Sequence, residues 1–152
     1  QLSSLIPGAK GWPNFVKNIS EKFESRVVQT KIQKTPSIFF KNMEGSILPI
    51  PVAHGEGRAE LKKEEVDNLY QKKLIPLVYV DDDERATESY PQNPNGSING
   101  ISGVTNESGT VTLMMPHPER SFLSLQHSWC PKNWDIYGPW IKFFTNAREF
   151  IG

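Results

Sequence analysis

The residues best suited to catalysis lie in segment 114–120, Met-Met-Pro-His-Pro-Glu-Arg. Met115 and His117 each precede a proline, which disfavours helical backbone and predicts an extended chain. Side chains two residues apart in an extended chain share one side, so His117 and Glu119 should lie together. A carboxylate that orients one imidazole nitrogen leaves the other free to take a proton from a nucleophile, which is the arrangement of a general base. The alternative is a surface histidine and glutamate after a proline turn.

A general base needs a nucleophile, and the candidates downstream of His117 are Cys130, Ser121, Ser124 and Ser128. None lies between glycines as in Gly-x-Ser-x-Gly or Gly-x-Cys-x-Gly, the turn between strand and helix that presents such a side chain. Cys130 stands among bulky neighbours and is interpreted as an inert small residue. A hydrolase that pairs Cys130 with His117 remains a weaker alternative.

A second polar group, His54, Glu56 and Arg58, alternates with Gly55 and Gly57 at the end of a predicted strand. Glycines permit the backbone to approach a ligand closely or to form a tight turn. Their spacing matches neither the P-loop nor the dinucleotide-binding pattern. The segment therefore predicts either a loop that lines a ligand site or a turn with charged flanks. A metal would need a further ligand that the sequence does not identify, so no metal site is predicted.

Two other polar segments are interpreted as loops. Residues 90–100 hold so many turn-forming residues that a structured loop is expected, although composition does not show what it binds. The acidic run 81–84 lacks the ligand and glycine pattern of a calcium loop and is predicted to be a solvated hairpin turn.

The elements that must position these residues follow from the hydrophobic pattern. Apolar runs rich in β-branched residues predict strands, and amphipathic spacing predicts helices. The run 47–53 should lie at a sheet edge because Pro49 and Pro51 cannot donate backbone hydrogen bonds. The predicted strands are 23–32, 47–53, 77–80, 86–90, 101–105 and 110–115, the last two forming a hairpin, and the predicted helices are 36–43, 63–73 and 139–151. The last helix should present Trp140, Phe143, Phe144, Ala147 and Ile151 on one face. This order predicts an α/β fold with a mixed sheet.

Composition limits the classes of protein. The chain has 152 residues, of which 37% are hydrophobic, and is interpreted as one domain. Basic and acidic residues number 17 each, so there is no electrostatic footprint for nucleic acid or anionic lipid. No secretory signal or long apolar run is present, and the single cysteine excludes an internal disulfide, which favours the cytoplasm. A first residue other than methionine, Gln1, predicts a piece of a longer protein.

Several motifs together resemble a known family. They are Gly-Trp-Pro-x-Phe-Val-x-Asn at 11–18, His-Gly-Glu-Gly-Arg at 54–58, Tyr-Pro-x-Asn-Pro-Asn-Gly-Ser at 90–97, Met-Met-Pro-His-Pro-Glu-Arg at 114–120 and Gly-Pro-Trp at 138–140. In this order they resemble the C-terminal glutaminase domain of the large, single-chain phosphoribosylformylglycinamidine synthases. The resemblance runs from Leu5 to Gly152 and implies the C-terminal portion of a flavodoxin-like class I glutamine amidotransferase domain.

The resemblance implies hydrolysis of the glutamine side-chain amide by a Cys-His-Glu triad. His117 matches the general base of the family and Glu119 the carboxylate that orients it. His54 and Gly55 are predicted to line the glutamine pocket. The nucleophilic cysteine is expected to precede Gln1, so the chain alone is predicted to be inactive.

The partners implied by the resemblance are glutamine and the synthetase domains of the same polypeptide. Those domains would use ATP and magnesium to convert formylglycinamide ribonucleotide to formylglycinamidine ribonucleotide in purine synthesis, and no cofactor is expected in this part. Neither nucleic acid nor a membrane is expected as a partner. The alternative is a non-catalytic binding or scaffold module that descends from the same fold and uses the loops at His54 and Asn95.

Overall fold

The computed structural model describes residues 5–152, in which one helix packs on each side of a five-stranded sheet. The strands are β1 (Asn14–Lys17), β2 (Glu24–Ile32), β3 (Ile47–His54), β4 (Glu56–Glu60), β5 (Leu77–Tyr79), β6 (Ile101–Thr105) and β7 (Thr112–Met114), and the helices are α1 (Lys63–Gln71) and α2 (Ile141–Ile151). The large sheet has the order β3-β2-β5-β6-β7, and β1 pairs with β4. In place of the expected mixed sheet, all pairings between these strands are antiparallel.

The long hairpin of β2 and β3 forms one end of the large sheet. Its register pairs Glu24 with His54 and Lys31 with Ile47. Pro49 and Pro51 lie in β3, which within residues 5–152 pairs with a strand only on its β2 side. Proline is tolerated at such an edge because its missing N–H is not needed for pairing. The predicted edge strand is confirmed.

The hairpin of β6 and β7 forms the other end of the sheet and is also confirmed. The turn closes with a hydrogen bond from the Gly109 N–H to the Asn106 carbonyl at 2.9 Å. Gly109 has a φ of +72°, and a Cβ on it would lie 2.0 Å from the carbonyl oxygen of Pro36. Only glycine fits this position, for backbone and steric reasons alike.

The hydrophobic core lies on both faces of β5. Leu77 and Tyr79 join a cluster that includes Trp140 beside α2, whereas Val78 and Val80 join a cluster that includes residues of α1. Alternate side chains of a strand project to opposite faces, so a strand covered on both sides is apolar throughout. This explains the continuous apolar run at 77–80.

The helix predicted at 36–43 is wrong, because only a 3-10 turn at Ile38–Phe40 forms there. The carbonyls of Phe39 and Lys41 accept hydrogen bonds from the Asn146 side chain at 2.9 and 2.8 Å instead of continuing a helix. Asn42 then adopts a φ of +61°, which ends the turn. Tertiary hydrogen bonds outweigh the local helical signal here.

The strand predicted at 86–90 is also wrong. Only Ala86 makes a bridge, to Val80. The Thr87 carbonyl accepts a hydrogen bond from the Asn93 side chain at 2.9 Å, and the Ser89 carbonyl accepts one from the Asn93 N–H at 2.9 Å. These carbonyls accept hydrogen bonds from the following loop rather than from a neighbouring strand.

The C-terminal helix is confirmed at Ile141–Ile151, but the predicted apolar face is only partly buried. Trp140 is fully buried at the start of the helix, and Phe143 packs against the same cluster. Phe144 is partly exposed and Ile151 is exposed, whereas the polar Asn146 is buried because it bonds to the chain at Phe39 and Lys41.

Candidate active site

The backbone around His117 is held by hydrogen bonds to β6 and to β3. β7 ends at Met114, and the Met115 N–H donates to the Ser102 carbonyl at 2.9 Å. The His117 N–H then donates to the Pro51 carbonyl on β3 at 2.8 Å. The chain after β7 is therefore held against β6 at Met115 and against β3 at His117.

The chain turns at His117 instead of staying extended. Pro118–Arg120 form a 3-10 turn with His117 as its N-cap, which corrects the extended conformation predicted for this segment. Proline suits the first position of a helical turn, because its fixed φ is helical and its missing N–H has no helical partner there. The turn places Glu119 beside His117, and not the two-residue repeat of an extended strand.

His117 and Glu119 are in direct contact. His117 Nδ1 lies 2.7 Å from Glu119 Oε1, so a proton on Nδ1 is donated to the carboxylate. Arg120 Nε lies 3.6 Å from the same oxygen. His117 Nε2 has no hydrogen-bond partner within residues 5–152, and the His117 side chain is partly exposed. An imidazole with Nδ1–H held by a carboxylate presents Nε2 as the proton acceptor.

His54 is a buried imidazole at the end of β3. The residue is 9% exposed, and neither ring nitrogen has a hydrogen-bond partner in the described part of the chain. Burial has the largest effect and lowers the pKa of His54. The residue's own backbone raises this pKa, the nearby His117 lowers it, and the carboxylate of Glu24 raises it. The ring is therefore neutral near pH 7, because its ordinary pKa is already 6.5.

The fold is expected to lose stability as the pH falls below the ordinary pKa of His54. The lowered pKa means that the unfolded chain binds a proton below pH 6.5 that the folded chain does not bind. The stabilisation is complete above pH 6.5 and is lost as the pH falls toward the lowered pKa. Thermal unfolding measured between about pH 5 and 8 tests this, with His54→Asn as the matched variant. Equal acid sensitivity of the two proteins would contradict the assignment.

Gly55 lies apart from the His54 ring. It lines an open cavity of about 430 Å³ together with Lys17, Glu21, Lys22, Phe23 and Glu56. A neighbouring cavity of about 380 Å³ is formed by Ile19, Ser20, Lys22 and the loop that contains Tyr90 and Asn95. Lys22 lines both cavities. The structure therefore places the two predicted pocket residues, His54 and Gly55, in different surroundings: His54 is buried, and Gly55 lines a surface cavity.

The sequence did not predict a charged cluster that joins β2 to the loop at Tyr90. The Glu24 side chain is 4% exposed, accepts a hydrogen bond from Ser20 Oγ at 2.7 Å and forms an ion pair with Arg26. Arg26 also donates to the Tyr90 hydroxyl at 2.6 Å, and its guanidinium lies 4.7 Å from the centre of the Tyr90 ring. The available signal was the i, i+2 spacing of Glu24 and Arg26, which puts both on one side of a strand.

The other nucleophile candidates do not assemble with His117. Cys130 lies in irregular chain well before α2, without the turn from strand to helix that exposes a nucleophile. No hydrogen bond within residues 5–152 joins Cys130 or any of the three serines to His117. Ser124 Oγ donates to the Asp135 carbonyl at 2.6 Å, and Ser121 is buried.

Comparison with known proteins identifies the family. The sequence profile of the CobB/CobQ-like glutamine amidotransferase domain matches residues 1–151. The chain belongs to this family. It is also similar to the structure of PurLQS from Thermotoga maritima, with 28% sequence identity and a TM-score of 0.66 over 92% of this chain. This chain covers 53% of the PurLQS chain, about half its length.

These matches confirm the resemblance to a glutaminase domain and the amidotransferase fold that it implied. Within the described part of this amidotransferase chain, no group of three or more histidine, cysteine, aspartate or glutamate side chains is arranged to hold a metal ion. Between residues 5 and 152, neither helix has the length and apolar character needed to cross a membrane.

Proposed function

We propose that this chain is the C-terminal part of the glutaminase domain of a phosphoribosylformylglycinamidine synthase. The whole protein would hydrolyse glutamine and use the ammonia in the ATP-dependent conversion of formylglycinamide ribonucleotide to formylglycinamidine ribonucleotide. Membership of the glutamine amidotransferase family supports the reaction class, and the ordered motifs and the similarity to PurLQS support the type. The observation that carries the proposal is the 2.7 Å contact between His117 and Glu119.

The geometry supports a role for each member of this pair. Glu119 holds Nδ1–H, so Nε2 of His117 is the nitrogen that accepts the thiol proton of a cysteine. The thiolate attacks the amide carbon of glutamine, and His117 returns the proton to the departing ammonia. Water then hydrolyses the thioester, with His117 acting again as base. The cysteine would come from sequence that precedes Gln1, because Cys130 lacks the required setting.

The remaining expectations belong to the same proposal. His54 and Gly55 would contribute to the wall of the glutamine pocket, His54 from the inner side and Gly55 from the surface. ATP and magnesium would bind to the synthetase domains of the same polypeptide, which would receive the ammonia. Purine synthesis of this kind would take place in the cytoplasm.

The 152-residue chain alone is expected to release no glutamate from glutamine, whereas the full-length protein should do so. His117 in the isolated chain has no thiol proton to accept, and members of a catalytic triad act as a unit. Glutamate release and ammonia-dependent product formation are measured on both proteins. Glutamate release by the isolated chain would overturn the placement of the nucleophile. Its absence from the full-length protein would support the non-catalytic binding module instead.

A further inference from the structure

Position 57 requires glycine because the His54 side chain occupies the space that a Cβ would need, and not because of the backbone conformation. It lies in β4, and its φ is outside the left-handed region, so any residue type could adopt its conformation. A Cβ on Gly57 would lie 2.6 Å from both Cε1 and Nδ1 of His54 and 2.8 Å from its Cγ. Real Cβ atoms do not approach so closely, and the contact includes the first ring atom. The whole His54 ring would have to move.

Burial of His54 restricts such a movement of the ring. The position of Gly57 is equally constrained by two buried asparagines. The Gly57 N–H donates to Asn18 Oδ1 at 3.2 Å, and its carbonyl accepts from Asn95 Nδ2 at 2.7 Å. Gly57 is thus held in place by both hydrogen bonds, and the imidazole of His54 packs against it.

His54 connects Gly57 to the strand that binds the candidate base. β3 accepts a hydrogen bond from the His117 N–H at the Pro51 carbonyl, 2.8 Å away, and His54 ends the same strand three residues later. The lowering of the His54 pKa by His117 agrees with this placement. Buried polar atoms nearly always have partners, and neither ring nitrogen of His54 has one in residues 5–152. An apolar side chain would fill this space without burying two unpaired nitrogens, which favours a role for the imidazole beyond packing.

We propose that Gly57 and His54 form one positioning unit for His117, in which the missing side chain of Gly57 admits the His54 ring at the end of the strand that binds the His117 backbone. The unit rests on the glutaminase function proposed above and adds a residue, Gly57, to it. Gly57 acts through His54 and touches neither the reacting atoms nor His117. Its carbonyl and N–H also fix the loops of Asn18 and Asn95 relative to the ring.

A double-mutant cycle in the full-length protein tests this unit. His54→Ala and Gly57→Ala should each lower the glutamine-dependent kcat by a similar factor, on the order of 10- to 100-fold, because small displacements at a catalytic site have effects of this size. The double variant should lose no more than His54→Ala alone, since removal of the ring leaves room for the added methyl group. Ammonia-dependent product formation, which bypasses the glutaminase site, should be unchanged in all three.

Additive losses in the double variant would overturn the proposal, and so would full activity of Gly57→Ala. If Gly57→Ala does not fold, the comparison of His54→Ala with the double variant still decides the question, because Gly57→Ala should be harmless in that background. A loss confined to the KM for glutamine would show a binding role for His54 instead and would also overturn it. Failure of the wild-type protein to use glutamine at all would defeat the proposed function rather than this inference.

Discussion

His117→Ala in the full-length protein is expected to lower glutamine-dependent product formation by about 100- to 10,000-fold, the usual contribution of a general base. The substitution removes the nitrogen that accepts the proton, and Glu119 is left without its partner at 2.7 Å. Free ammonia bypasses this step, so ammonia-dependent product formation should stay at the wild-type level. Comparison of the two rates on one protein preparation therefore separates loss of the glutaminase site from loss of the fold.

His127→Ala is the matched control for this prediction. His127 also lies downstream of β7, but its Nε2 is 2.9 Å from the Ser121 carbonyl and its ring packs edge-on against Trp134. It should retain most glutamine-dependent turnover. Glu119→Gln should give a smaller loss than His117→Ala, because the proton acceptor remains and only its orientation weakens. Equal activity of His117→Ala and His127→Ala would exclude His117 as the base.

Trp140→Ala is expected to lower the free energy of unfolding by about 3–5 kcal/mol, as truncation of a buried tryptophan typically does. Trp140 is fully buried, and its Nε1–H donates to the Pro49 carbonyl at 2.8 Å. The side chain therefore joins the start of α2 to the edge strand β3. Its removal leaves a cavity and a carbonyl without its partner.

Trp129→Ala provides the same chemical change on the surface. Trp129 is 78% exposed, so its truncation should change the free energy of unfolding by less than about 0.5 kcal/mol. Chemical denaturation of the two variants beside the wild type measures both values. Similar values for Trp140→Ala and Trp129→Ala would show that the cluster around α2 does not support the fold.

The sequence predicted those parts of the fold in which local pattern and tertiary structure agree. The period of two in β2, the prolines of β3 and the glycine-containing turn of the β6–β7 hairpin each correspond to a physical requirement of the strand. The helix expected at 36–43 failed because its carbonyls bond to Asn146, more than 100 residues later. No local pattern contains that information.

In the candidate site, too, the contacts between sequence neighbours could be predicted and those made by tertiary packing could not. The pairing of His117 with Glu119 could be predicted because the two residues are neighbours in sequence, although the backbone achieves it by a turn. The contact between the His54 ring and Gly57 could not be predicted, because nothing in the sequence distinguishes Gly57 from Gly55 in the same polar segment. Only the packed structure distinguishes it from Gly55, whose Cβ would meet nothing closer than 4.0 Å.

The two ends of the large sheet differ in their capacity to recruit another strand. β3 carries two prolines and is a poor template for pairing, whereas β7 has no proline, and its outer edge is unpaired within residues 5–152. Strand addition by another chain is therefore expected at β7 rather than at β3. The backbone of His117 binds the other edge, through the hydrogen bond from its N–H to the Pro51 carbonyl of β3. Pairing at the open edge therefore leaves in place the contact that holds the candidate base.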